Sequence, residues 1–116
     1  MPLPPVLHNV IISLLRIIKR RQIEQWAGDY PDAAKPLFVW YEAARKAEWR
    51  NLQEVRRTFP HADGVRVKSR RIVTVFNIRK NRYRLLTAIH YDRQRVYTMR
   101  FLTHAQYDVA NWKDEL

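Results

Sequence analysis

The stretch Thr103-His104-Ala105-Gln106-Tyr107-Asp108 gathers several side chains that can do chemistry into six positions. An imidazole changes charge near neutrality and can give or take a proton. On a helix, His104 and Tyr107 stand three apart and share a face. His104 and Asp108 stand four apart, close enough for the carboxylate to orient the imidazole. Upstream, Gly64 to Arg84 reads GVRVKSRRIVTVFNIRKNRYR and holds Arg66, Lys68, Arg70, Arg71, Arg79, Lys80, Arg82 and Arg84 with no acidic residue. A folded surface with that charge implies phosphate contacts, which give affinity and position but do not read bases. An acid–base group beside a phosphate cradle is what RNA self-cleavage requires. The 2′-hydroxyl loses a proton, negative charge builds on the phosphorus oxygens, and the departing 5′-oxygen gains a proton. The plainer reading of the same residues is a capped final helix with Tyr107 packed on the core.

The other histidines offer less. His61 sits in a Pro-His turn open to solvent, and His90 lies on a strand where it serves as edge, packing or functional residue. The four His show no HxxxH or HxH spacing, so a His metal cluster is not expected. The absence of Cys removes disulfides, thiolate chemistry and Cys-based zinc sites together. Trp40 and Trp49 belong to helix faces, and no aromatic pair has the spacing of a base-stacking platform on a sheet.

Length and composition set the frame for these groups. A chain of 116 residues forms one domain with one core of helix packed on sheet. Its 22 basic residues against 11 acidic give a net charge of +11. A pI near 10.6 calls for a polyanionic partner, with nucleic acid ahead of an anionic membrane surface or an acidic protein. An apolar fraction of 47%, with four Trp, six Tyr and four Phe, places the charge on a folded body rather than a disordered tail. The apolar stretch Val6–Ile18 is interrupted by His8, Asn9, Ser13 and Arg16 and is too short to span a bilayer. Its front, Met-Pro-Leu-Pro-Pro, lacks the leading positive charge of a secretory signal. The expected location is the cytoplasm.

The elements that must position the chemistry follow in order. Residues 1–5 are irregular, and β-branched Val10–Ile18 reads as a strand. Gln22–Ala27 is a short helix with Ile23 and Trp26 on one face. Asp32 is the expected N-cap of a helix that runs to about Trp49, with Leu37, Trp40, Tyr41, Ala44 and Ala47 as its apolar stripe. Asn51 caps a third helix, Leu52–Thr58, and Pro60 stops it. Strands follow over Val65–Lys68, Ile72–Ile78, Arg82–Tyr91 and Arg95–Thr103. Arg79-Lys80-Asn81 is a hairpin turn in which Asn81 takes positive φ, and Asp92-Arg93-Gln94 is the next turn. Thr103 caps a short C-terminal helix. The fold class is therefore α+β, with an N-terminal strand and helices packed on one face of an antiparallel sheet and the other face left for a ligand. Alternation puts Tyr83, Leu85, Thr87, Ile89 and Tyr91 on one side, and Arg82, Arg84, Leu86, Ala88 and His90 on the other.

Several blocks in register then carry a family resemblance. KAEW (Lys46–Trp49), RTFPHAD (Arg57–Asp63), VFNIRKNRYRLL (Val75–Leu86) and IHYDRQRVYTMRFLTHAQYD (Ile89–Asp108) resemble the HigB-type toxins of the RelE superfamily. The likeness runs from about Leu15 to Asp108, so 15–116 is read as the toxin domain and 1–14 as an N-terminal extension. The resemblance implies a RelE-like α+β fold and a metal-independent endoribonuclease that needs no cofactor. Such an enzyme cuts mRNA, typically on the translating ribosome at the A site of the small subunit. It also implies neutralisation by a cognate HigA-type helix-turn-helix antitoxin, and no membrane partner. Carried over by residue, the site is Arg84, His104 and Tyr107, with Lys68 and Arg70 or Arg71 as the basic pair entering the central strand. His104 transfers protons, Arg84 and Lys68 hold the phosphate, and Tyr107 orients or stacks on the substrate. Arg70, Arg71, Arg82, Lys80 and Asp108 complete the expected substrate contacts. At Arg79-Lys80 two cations replace the Gly-rich turn usual in the family. A non-catalytic RNA- or ribosome-binding protein on the same scaffold, and a toxin that has lost its cut but keeps its antitoxin, are the alternative functions.

Overall fold

Ile72–Ile78 (β3) is a β-branched run in which Val73, Thr74, Val75, Phe76 and Ile78 are buried. A strand covered on both faces must lie inside a sheet, with layers on each side. A computed structural model of the chain, describing residues 15–109 and 111–116, shows both layers. Five strands lie in the order β1-β5-β4-β3-β2. They are Arg16–Ile18 (β1), Asp63–Arg66 (β2), Ile72–Ile78 (β3), Tyr83–His90 (β4) and Arg95–Thr103 (β5). β2 to β5 form an antiparallel meander, and β1 joins β5 in parallel. The α+β architecture expected from sequence is therefore present, with a mixed rather than purely antiparallel sheet. The strand expected over Val10–Ile18 is seen as Arg16–Ile18, and the rest of that segment lies outside the described residues.

Three helices cover one face: Arg20–Asp29 (α1), Ala34–Arg45 (α2) and Leu52–Thr58 (α3). Their buried residues, Ile23, Leu37, Trp40, Ala44 and Val55, meet Phe76, Ile78, Tyr83, Leu85, Val96 and Phe101 of the sheet. Aromatic rings do much of the joining. Trp40, Trp49, Phe59 and Phe76 lie within 5.2–6.4 Å of one another, centroid to centroid, in five pairs. Such edge and offset contacts add about 0.5–1.5 kcal/mol each beyond the area they bury. Asn51 caps α3 as expected, its Oδ1 accepting from the Glu54 N–H at 3.0 Å.

Asp32 does not cap α2. A 3-10 turn, Pro31–Ala33, precedes that helix, and no side chain caps its N-terminus. The Asp32 carboxylate instead accepts from the Tyr83 hydroxyl at 2.7 Å and pairs with Arg79. Long-range partners thus outcompete the local cap. The helix also stops at Arg45 rather than near Trp49. Beyond it the backbone is taken up by other strands: Leu15 donates to the Ala47 carbonyl, and the Gln94 side chain bonds both backbone groups of Trp49.

The second face is not bare. Val67, Val73, Val75 and Leu86 form a smaller core beneath Trp112, with Val65, Met99, Leu102, Tyr107 and Leu116 around it. The covering elements are His104–Val109 (α4), expected from sequence, and Trp112–Glu115 (α5), which was not. α5 is tied down by the Lys68 N–H donating to the Lys113 carbonyl and by an Arg100–Glu115 ion pair.

The β4 alternation stands as expected: Tyr83, Leu85 and Ile89 face the helices, and Leu86 faces Trp112. β5 changes phase. Leu86 pairs with Arg100 and Thr87 with Thr98, which leaves Met99 as an extra residue, a β-bulge. Arg95, Tyr97, Arg100 and Leu102 all consequently face the Trp112 side.

Three smaller boundaries differ. β2 begins two residues earlier than expected, at Asp63, and ends at Arg66. The turn after β4 is a 3-10 turn, Tyr91–Arg93, closed by Gln94 at φ 51. In the β3–β4 turn the positive φ values belong to Arg79 (52) and Lys80 (57), not to Asn81. A left-handed conformation costs an L-residue about 1–2 kcal/mol, against which glycine gives back about 0.5–1 kcal/mol in lost unfolded-state order. Lys80→Gly is therefore expected to stabilise the protein by up to about 1 kcal/mol, measured by urea unfolding. Arg79→Gly should gain less, because it also removes the partner of Asp32.

Candidate active site

The register settles which side chains can meet. β3 runs from the β2–β3 turn at one end of the sheet to the β3–β4 turn at the other. Arg84 pairs with Asn77 and Leu102, and Tyr83 with Thr103, so Arg84 and the start of α4 share the β3–β4 end. The His104 N–H donates to the Arg82 carbonyl at 2.9 Å, fixing α4 against the turn. Thr103 and Gln106 close a reciprocal cap: Gln106 N–H donates to Thr103 Oγ1 at 3.2 Å, and Thr103 N–H to Gln106 Oε1 at 3.0 Å.

Within this frame His104 Nδ1 lies 2.9 Å from Asp108 Oδ2, the i, i+4 contact expected from spacing. The contact orients the imidazole and leaves Nε2 free. His104 lines an open hollow of about 700 Å³ with Lys80, Asn81, Arg82, Tyr83, Thr103 and Ala105. Arg84 is half-buried. It donates to the Asn81 and Tyr83 carbonyls at 3.0 and 3.2 Å, and its guanidinium carbon lies 5.5 Å from the centre of the Tyr107 ring. The Trp112 ring stacks on Tyr107 at 5.1 Å and 18°, and the indole N–H donates to the Tyr107 carbonyl at 3.1 Å. Burial pushes the Tyr107 phenol above its ordinary pKa. The Asp63 carboxylate adds to that shift, and Arg84 opposes it. Tyr107 is therefore a phenol at neutral pH, a donor and a stacking surface rather than a base.

The structure brings Arg84, His104, Tyr107, Asp108, Arg82 and Lys80 to this end. It does not bring Lys68, Arg70 and Arg71, which occupy the β2–β3 turn at the far end of β3. Lys68 and Arg70 are exposed, and Arg70 adopts φ 75 with its carbonyl accepting from Arg66. The expected single cradle is thus two separate clusters.

Sequence reasoning missed three residues at the site end. His61, solvent-exposed as read, also lines a second hollow with Asn77, Lys80 and Asn81. Asp63 begins β2 close enough to act on Tyr107. Trp112 covers the Tyr107 ring. Pairing Val65 with Val73 would have placed His61 and Asp63 beside the β3–β4 end. No periodicity marked a helix as short as α5. Among the described residues, no group of three or more His, Asp or Glu is placed to hold a metal ion, and no helix is long and apolar enough to cross a membrane.

Residues 33–110 match the family model HigB_toxin, described as the RelE-like toxic component of a toxin-antitoxin system. The chain is also similar to a protein of Escherichia coli O6:H1 named mRNA interferase HigB. The two are 24% identical over 94 residues, covering 81% of this chain and 89% of the relative.

Replacing Trp112 by Leu removes the ring stacked on Tyr107. The slow, high-pH component of the tyrosine absorbance titration, identified by its absence in Tyr107→Phe, should then move down toward the ordinary value. An unmoved component would show that Trp112 does not shield the phenol.

Proposed function

The chain belongs to the HigB toxin family, RelE-like toxic components of toxin–antitoxin systems, and we propose that it is an endoribonuclease that cuts messenger RNA by attack of the 2′-hydroxyl on the neighbouring phosphate. The reading is carried by one observation: an imidazole oriented by Asp108 opens onto a hollow walled by Lys80 and Arg82. The name of the Escherichia coli relative supports it.

The chemistry balances within these residues. One group takes the proton from the 2′-oxygen, which bonds to phosphorus, and the bond to the 5′-oxygen breaks. A second group delivers a proton to that oxygen, leaving a 2′,3′-cyclic phosphate and a 5′-hydroxyl end. His104 and His61 are the two imidazoles at this end, and their hollows share Lys80 and Asn81. They are assigned the two proton transfers. Arg84, Arg82 and Lys80 stabilise the charge that develops on the phosphorus oxygens. Tyr107, held neutral, donates to the substrate or stacks on a base. The scheme uses no metal. A toxin of this kind works in the cytoplasm on mRNA held by the translating ribosome. Its antitoxin partner would be of the HigA type, with a helix-turn-helix.

Tight induction of the chain, alone and with the neighbouring reading frame, followed by mapping of RNA 5′ ends, tests this. Growth should stop with new 5′-hydroxyl ends, and co-expression of the neighbour should restore it. His104→Ala should slow cutting by about 10²- to 10⁴-fold. Normal growth with no new ends would leave a binding protein instead of a nuclease. Undiminished cutting by the combined His104→Ala, Tyr107→Ala and Arg84→Ala variant would refute the site.

A further inference from the structure

One of the cations left out of the active site, Arg71, belongs to a groove elsewhere on the sheet. Lys19, Arg71, Ala88, His90, Tyr97, Thr98 and Met99 line a groove of about 310 Å³ at the opposite end of the sheet. It opens on the same face as Arg84. Ala88 pairs with Tyr97 and His90 with Arg95, two and three alternations along β4 from Arg84. The His90 and Tyr97 rings stand 5.0 Å apart at 60°. His90 is exposed and Tyr97 half-exposed, so both rings are within reach of a ligand. Among the described residues, Lys19, Arg71 and Arg95 have no carboxylate within ion-pair distance. Lys68 and Arg70 add charge from the adjoining turn.

We infer that this groove is a second subsite for single-stranded RNA, where Tyr97 and His90 stack a base and Arg71 and Lys19 hold its flanking phosphates. The inference rests on the proposed nuclease activity and names where the rest of its substrate lies. Open aromatic faces beside unpaired cations are the combination that binds single strands with little regard to sequence. A double helix offers no free base face to such rings, so the strand must be unpaired here. From Arg84 to His90 is six residues of strand, about 20 Å, a reach of several nucleotides. The short helix α5, seated through Trp112 on Val73, Val75 and Leu86, stands between the two sites. A strand bound at both must cross or skirt it. The groove therefore contributes to binding and not to the bond-breaking step.

Binding of the full chain to a fluorescent 2′-O-methyl decanucleotide and to a trinucleotide, followed by anisotropy, tests the groove without cleavage. Tyr97→Ala and His90→Ala should each weaken the decanucleotide about tenfold and leave the trinucleotide unchanged, while Tyr97→Phe should bind like the parent. Arg71→Gln should lower the slope of log affinity against log salt by about 0.7 for the decanucleotide alone. Arg84→Gln should weaken both oligonucleotides. If it does while the Tyr97, His90 and Arg71 variants bind the decanucleotide like the parent, the groove is refuted and the nuclease reading stands. If the parent binds neither oligonucleotide, the groove is refuted as an RNA subsite, and the 5′-end mapping alone decides the nuclease reading.

Discussion

The Asp32 carboxylate holds the working end of the molecule together. It receives the hydroxyl proton of Tyr83, the first residue of β4, and the guanidinium of Arg79, the first residue of the turn before it. These contacts keep the carboxyl below its usual titration range, led by the Tyr83 bond, and raise the Tyr83 phenol in return. The turn needs such a hold because two consecutive cations sit in left-handed backbone. Both proposed proton carriers border that turn, and Arg84 bonds its Asn81 carbonyl. A carboxylate on the helical side of the sheet thus holds the turn that borders the site, as the supporting layer of a precise site must.

Charge is sorted by face. On the helical side three basic residues are matched locally: Arg20 with Glu24, Arg45 with Glu42, Arg50 with Glu54. Exposed pairs of this kind add little stability. Their effect is on the field, since they offset part of the basic charge on that side, while the stretch from Gly64 to Arg84 carries eight basic residues and no acidic one. Salt should screen that field within about 10 Å at 0.1 M, so its reach is short and its grip is close to the surface.

Much of this arrangement was legible in the residues. The spacing of His104 and Asp108 on one helix turn, the exact span of β3, the Asn51 cap and the two-sidedness of β4 are local features, and local patterns report them. The partners of Asp32 were not legible, because a local capping preference of about 1 kcal/mol yields to two contacts from residues about fifty positions away. Lys68 was joined to Arg84 through the family resemblance, both lying in one basic stretch of the sequence. Seven residues of extended chain separate the ends of β3, and extended chain covers about 3.3 Å per residue. Distance in a strand is cheap in sequence and long in space. Trp112 was a single aromatic near the end of the chain, with no period to announce it, yet it closes the second core.

Met99 carries a consequence beyond its own position. A strand of strict alternation can present one residue set to each side for its whole length. With one residue left out of the ladder, β5 speaks in two phases, Arg95 and Tyr97 in the first, Arg100 and Leu102 in the second, all toward the same surface. Loss of that single residue would act like a frameshift in side-chain orientation. Every group on one limb would be turned over while the backbone trace stayed nearly the same, and a surface shared by two distant clusters would be divided between opposite sides of the sheet.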